Sequence, residues 1–270
     1  MRTAVVGHVE WVDFARVERL PVSGEIVQAS ECWAEAAGGG GVASVQLARL
    51  AGSCVLYTAL GLEELGDRAL AQLASLGVRV EARRHAEPQR RAFTYVEAGG
   101  ERTITIMGEK HVPRGGDDLP WDLLAETDGV YFVSGDAAAA RAARRARTLV
   151  ATARVLPVLA EAGVELDALV RSGSDRSERY SSGDLHPRPR LAVTTSGVAG
   201  GSWTSVDGDA GTYAAEPPPG PVEDSYGAGD SFAAGLTYAL ARGESRDDAL
   251  RFAARAASAA LTRRGAHGRG

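Results

Sequence analysis

The chain has 270 residues, 30 Lys and Arg against 35 Asp and Glu, and a formal net charge of -5. Its apolar fraction of 44% excludes a disordered chain, and its length suits one large α/β domain spanning 1–270. No run approaches the ~18 consecutive apolar residues of a membrane span, and the mildly acidic balance argues against a nucleic-acid surface.

The start, Met1-Arg2-Thr3-Ala4-Val5-Val6-Gly7, reads as a buried strand rather than a signal peptide. Trp11 to Val17 and Glu25 to Trp33 read as extended, joined by the turn Leu20-Pro21-Val22-Ser23-Gly24. Val42 to Ala51 has helical spacing, Val55 to Leu60 is a strand, and Asp67 to Leu76 is an amphipathic helix stopped by Gly77. Phe93 to Val96 and Arg102 to Ile106 form a hairpin, and its period-two alternation suits a half-exposed sheet. Gly129 to Ser134 is a buried strand followed by an Ala/Arg-rich helix. Strands recur at Leu149–Ala153, Ala168–Val170 and Leu191–Thr195. Two Ala-rich helices close the chain, one from near Gly227 and one over about Asp247 to Leu261.

Such alternation implies parallel strands with crossover helices. The early extended segments, about 11–33 and 93–106, break the pattern and predict a small β-lid beside the α/β body. Ligands of open α/β sheets bind at the carboxyl ends of the strands, the edge a lid would cover.

Some chemistries are excluded or disfavoured at once. Lys110, the only lysine, is not in a Gly-Lys-Ser/Thr sequence, so there is no Walker-type P-loop. Gly7-His8-Val9 lacks the Gly-x-Gly-x-x-Gly of a dinucleotide oxidoreductase. No Cys/His cluster has zinc spacing. Cys32 and Cys54, the only cysteines, read as two sheltered thiols of a reducing cytosol, which implies a cytoplasmic protein. His85, His111, His186 and His267 lie in polar contexts and predict surface roles.

The informative stretch is Asp224-Ser225-Tyr226-Gly227-Ala228-Gly229-Asp230, a small-residue turn opening an apolar helix. Gly227, Ala228 and Gly229 leave backbone N–H groups uncovered at a helix N-terminus, which makes an anion site with Asp230 beside it. A plain turn with a dipole-favoured Asp would use the same residue types.

This stretch resembles the Asp-Thr-x-Gly-Ala-Gly-Asp signature of the ribokinase-like, PfkB-type family of sugar and nucleoside kinases, with Ser225 in place of Thr. The resemblance implies a three-layer α/β/α sandwich with a mostly parallel central sheet and a small β-lid. It implies Asp230 as catalytic base, Gly227, Ala228 and Gly229 as anion hole, and Asp224 beside the nucleotide. Thr195-Ser196-Gly197-Val198-Ala199-Gly200 resembles the family's Thr-x-Gly-x-x-Gly nucleotide loop, giving Thr195, Gly197 and Gly200 as nucleotide contacts. Asp175-Arg176-Ser177-Glu178 resembles its Asn-x-x-Glu, which helps organise phosphates and magnesium; a capped helix start is the bland alternative. Further likenesses at Leu20–Glu25, Leu60–Asp67 and Gly99–Thr103 extend the resemblance from Val6 to about Ala266.

The acceptor half departs from the family pattern. Ala37-Gly38-Gly39-Gly40-Gly41-Val42 stands where the family has Gly-Gly-x-x-x-Asn, with Val42 at the Asn position. Gly38, Gly39 and Gly40 remain as expected acceptor contacts. Counting from Gly7 puts Glu10 and Val12 where the family has Asn and Asp, so Glu10 is the expected polar contact and Asp13 faces away.

The resemblance implies ATP, Mg²⁺ and a monovalent cation as cofactors and a small carbohydrate as acceptor, while the exposed strand edges of the lid invite pairing in a homodimer. A nucleoside kinase and a non-catalytic sugar- or nucleotide-sensing protein are the alternatives.

Overall fold

A computed structural model describes residues 1–268. The first strand, β1 (Thr3–Val6), lies inside a nine-stranded sheet. The sheet also holds β4 (Cys54–Gly61), β5 (Val78–His85), β8 (Gly129–Phe132), β9 (Thr148–Thr152), β10 (Ala168–Ser172), β11 (Leu191–Thr195), β12 (Gly201–Ser205) and β13 (Ala210–Tyr213). Its order is β13-β12-β11-β10-β9-β8-β1-β4-β5, parallel from β11 to β5, with β12 and β13 antiparallel at one edge.

Side chains of β1 alternate between two cores, as period-two geometry requires. Val5 packs toward helices α1 (Gly38–Ala51), α2 (Glu64–Ser75), α5 (Ala228–Ala241) and α6 (Arg246–Ala260). Ala4 and Val6 pack on the other face toward α3 (Ala137–Ala143) and α4 (Leu156–Ala162). Helices on both faces make the expected three-layer α/β/α sandwich. The Ala-rich sequence serves close approach: a Cβ on Gly235 of α5 would lie 2.8 Å from Ala256 Cβ of α6, closer than packed side chains tolerate.

A second sheet of four strands has the order β3-β2-β6-β7. It comprises β2 (Glu10–Val17), β3 (Glu31–Ala37), β6 (Arg91–Glu97) and β7 (Arg102–Met107). Phe14 stacks on Trp33 at 4.9 Å and meets Tyr226 edge-on at 5.1 Å, which seats this sheet on the turn before α5.

Several sequence expectations change. The strand expected from Glu25 begins at Glu31, because Glu25 is spent on a turn: it accepts from Val22 N and pairs with Arg19 at 2.6 Å. Helix α1 begins at Gly38, ahead of the Val42 expected. Strand β7 is exposed along its whole length rather than half-exposed, because it is the outer edge of its sheet. Strands β5, β12 and β13 were not expected; β5, Val-Arg-Val-Glu-Ala-Arg-Arg-His, carries little apolar pattern because it lies at an edge. Cys54 is buried but Cys32 is exposed, and both are free thiols. His111 and His267 are buried rather than superficial, their Nε2 atoms 2.8 Å from Pro88 O and 2.7 Å from Ala36 O. Among the described residues no helix is long and apolar enough to cross a membrane.

Candidate active site

Parallel strands end at one edge, so the segments that follow β1, β8, β9, β10 and β11 converge there. These segments hold His8 and Glu10, Val133, Arg154, Asp175 to Glu178, and Thr195 to Gly200 respectively. Helices α1 and α5 point their N-termini at the same place, as the neighbours of Gly39 show.

The end expected to take phosphate (the phosphate end) is built by the turn into α5. Gly227 is the N-cap, with φ 74°, and no side chain caps the helix, so its first N–H groups stay available to an anion. A Cβ on Gly227 would lie 2.7 Å from Val42 Cγ1, so glycine is needed for space as well as conformation. Nothing lies within 4 Å of where a Cβ on Gly229 would sit, which leaves that side of the turn open. Asp224 is fully buried; its Oδ1 accepts from Tyr226 N at 2.8 Å and its Oδ2 from Gly265 N at 2.6 Å. It therefore clamps the turn to the segment at Gly265. Arg102 of β7 donates to Ser225 O and Oγ, both at 2.7 Å, and so ties the lid to this turn.

Asp230 reaches across to the tip of α1. A Cβ on Gly39 would lie 3.1 Å from Asp230 Oδ1 and 2.7 Å from Val133 Cγ2, so the glycine leaves the carboxylate room. Tyr131 Oη donates toward Asp230 Oδ1 at 3.5 Å. Burial pushes the Asp230 carboxyl above its ordinary value, opposed by the positive charge of Arg154. A carboxylate raised in this way is a stronger proton acceptor.

Arg154 was not singled out from sequence, yet it joins two expected sites. Its Nε donates to Glu178 Oε1 at 2.5 Å, and its Nη2 lies 3.6 Å from Asp175 Oδ2. Burial works against its charge, and the carboxylates of Asp230 and Glu178 more than offset that. The available signal was its position just past a buried strand end. Glu178 also accepts from Ser172 N at 2.6 Å, so both its oxygens are engaged. Asp175 caps a short turn, accepting from Ser177 N at 2.9 Å, which is the bland role weighed for it. Among the described residues no group of three or more His, Cys, Asp or Glu side chains gathers as a metal site. With both Glu178 oxygens engaged, Glu178 and Asp175 form no preformed metal cage.

The Thr195–Gly200 segment forms an open loop after β11. Thr195 Oγ1 donates to Arg171 O at 3.3 Å, Gly197 and Gly200 have positive φ, and Val198 is fully exposed. The cleft lined by Arg171, Arg188, Thr194 and Trp203 lies instead on the face of β10–β12, and none of the expected site residues lines it.

The acceptor end is built by His8, Glu10 and the tip of α1. A Cβ on Gly38 would lie 3.2 Å from both Glu10 Cγ and His8 Cδ2, and one on Gly40 2.6 Å from His8 O. Glu10 pairs with Arg90 Nε at 2.9 Å. Burial raises its carboxyl, opposed by Arg90 and Lys110. Asp13 pairs instead with Arg91 at 2.8 Å, the outward direction expected for it. Val12 and Val42 share a buried apolar cluster with Phe14, Ala37 and Tyr226. The two positions where the resemblance calls for Asp and Asn are thus packed core.

Residues 2–163 and 164–268 match the model of the pfkB family of carbohydrate kinases. The chain belongs to this family. Acarbose 7(IV)-phosphotransferase of Actinoplanes sp. is 43% identical over 76 residues, 28% of this chain and only a quarter (25%) of that relative's length. Among solved structures, the ribokinase of Thermotoga maritima aligns with TM-score 0.78 at 19% identity, over 99% of this chain and 95% of that one. The Arabidopsis thaliana ribokinase complexed with ribose and ATP gives 0.73 at 20%, over 98% and 93%. Adenosine kinase from Sinorhizobium meliloti gives 0.76 at 18%, over 98% and 95%. At these identities the pfkB member shares their ribokinase fold, and the fold alone does not choose among acceptors.

Proposed function

We propose that this pfkB-family protein transfers the γ-phosphoryl group of ATP to a hydroxyl of a small carbohydrate. Asp230 carries the reading, since it stands in the first turn of α5 beside uncapped N–H groups and faces the glycine tip of α1. Asp230 takes the hydroxyl proton as the acceptor oxygen bonds to the γ-phosphorus, and the bond from that phosphorus to the bridging oxygen breaks, releasing ADP. The amides of Gly227, Ala228 and Gly229 hold the charge on the transferring group. Gly197, Gly200 and Thr195 line the nucleotide side, and Gly38, Gly39, Gly40 and Glu10 the acceptor side.

A magnesium ion would neutralise phosphate charge, reached by Glu178 and Asp175 through water. Each Asp224 oxygen already accepts an amide, so its side chain does not fit as an open ligand for a monovalent cation, and no step is assigned to one. ATP as donor and two free thiols support a cytoplasmic setting. The exposed edge strand β7, with Ile104 and Ile106, supports pairing of two lids in a homodimer.

A nucleoside is the competing acceptor, since adenosine kinase matches the fold as well as the ribokinases do. The test is ADP release with Mg-ATP across sugars, polyols, sugar acids, sugar phosphates and nucleosides. Acceptor-dependent release is expected, and Asp230→Asn should lower kcat about 10²- to 10⁴-fold while ATP still binds. Release that persists in Asp230→Asn, or ATP binding with no acceptor turned over, would favour a sensing role.

A further inference from the structure

The polar groups around the acceptor end carry more positive charge than a neutral sugar needs. Arg90 and Lys110 come from two loops held together: His111 Nε2, next to Lys110, is 2.8 Å from Pro88 O, two residues before Arg90. The rings of His85 and His111 stack at 5.1 Å and brace the same junction. Arg90 reaches Glu10, and Glu10 lies beside Gly38 at the tip of α1. The sequence of groups therefore runs from Asp230 through Gly39, Gly38 and Glu10 to Arg90 and Lys110.

Arg90 pairs with Glu10, and Lys110 and Arg154 add positive charge within electrostatic reach of that carboxylate, against the negative charge of Asp230. Burial and the neighbouring charges of Lys110 and Arg90 hold His8 well below the ordinary imidazole range, so it adds no further charge. Its Nδ1 is buried with no hydrogen-bond partner. Among the described residues Lys110 makes no ion pair, although burial and Arg90 both press on its charge. Arginines at the edges of the lid and body differ, each having its own carboxylate: Arg91 pairs with Asp13 and Arg84 with Asp67. Lys110 is nevertheless exposed, so an anion can reach it, and a cation without a carboxylate of its own beside another cation is relieved by an incoming anion. Meanwhile Val12 and Val42 have removed side chains that would bond neutral hydroxyls.

We propose that the acceptor carries an anionic group, carboxylate or phosphate, at the end remote from the reacting hydroxyl, and that Arg90 and Lys110 receive it. This rests on the kinase reading above and specifies its substrate class.

The experiment compares acceptors of one carbon skeleton: the neutral sugar, its sugar acid and its monophosphate. ADP release is measured for the wild type, Lys110→Met and Lys110→Arg, beside calorimetric titration of the same compounds into the protein without ATP. The charged acceptors should be preferred over the neutral one, the better of them naming carboxylate or phosphate. Lys110→Met should narrow that preference about ten- to hundredfold, Lys110→Arg should restore most of it, and added salt should weaken it. Release with neutral acceptors in preference to charged ones overturns this inference and leaves the kinase reading standing. Anion-selective binding that Lys110→Met weakens, with no ADP release, supports the anion site and removes the kinase reading. Titrations in which no charged compound binds, or in which Lys110→Met changes nothing, overturn the anion site.

Discussion

The two ends of the candidate site were assembled by opposite rules. At the end expected to take phosphate the chain leaves uncovered what it could cover: no side chain caps the turn at Gly227, and Asp230 keeps room opposite Gly39. At the acceptor end it covers what a sugar kinase would expose: Val12 and Val42 are packed among Phe14, Ala37 and Tyr226. Phosphoryl transfer asks the same geometry of every substrate, so that end tolerates little change. Recognition depends on a few directional contacts, and these can be rewritten without disturbing the reacting centre.

The comparison breaks most visibly at Arg154, which is read with the phosphate end but sits among carboxylates from two segments, Asp175 and Glu178 after β10 and Asp230 in α5. Arg154→Met should lower kcat/KM roughly ten- to hundredfold, with the loss in ATP and not in acceptor KM. Steady-state kinetics varying each substrate in turn decides this, and a selective rise in acceptor KM would move Arg154 to the other end. Next in size is Val42→Asn, which restores the family's residue. Were Val42 an open pocket wall, activity on neutral sugars would rise. Packed against Gly227, the amide should instead cost about 1–3 kcal/mol of stability, read by urea unfolding, with no gain in activity.

The finest test concerns the joint between the ends. Asp224 and Glu35 hold the adjacent amides of Gly265 and Ala266. Burial pushes the Glu35 carboxyl up to about 7, partly offset by the amides of Ala266 and His267. The folded protein therefore binds a proton that the unfolded chain releases at lower pH. Stability from this group is present below the ordinary value of 4.5 and is lost as pH rises through about 7. Glu35→Gln should flatten that decline by up to about 1.4 kcal/mol per pH unit. Unfolding curves collected across this window check it, and parallel slopes for the two proteins would count against it.

The strands buried in the sheet were legible because β1, β4, β8, β9 and β11 are apolar runs stopped by turns. So was the turn into α5, where residue type and order carry the chemistry locally. What stayed hidden depends on contacts far apart in sequence. The role of Asp224 is set by Gly265, that of Glu178 by Arg154, and the burial of His111 by Pro88. Arg90 meets Glu10 only because β2 and β6, eighty residues apart, pair side by side in the second sheet. Strand β3 was misplaced for a local reason, since Glu25 is as suited to bracing a turn as to starting a strand.

Strand β3 ends at Ala37 and α1 starts at Gly38, with no residue between them and a φ of 74° at the junction. The second sheet and the tip of α1 are therefore continuous, with no linker to absorb a displacement of one relative to the other. Gly39, the next residue, already stands against Asp230, with a Cβ there 3.1 Å from Oδ1, so the path from the outer sheet to that carboxylate is only two residues long.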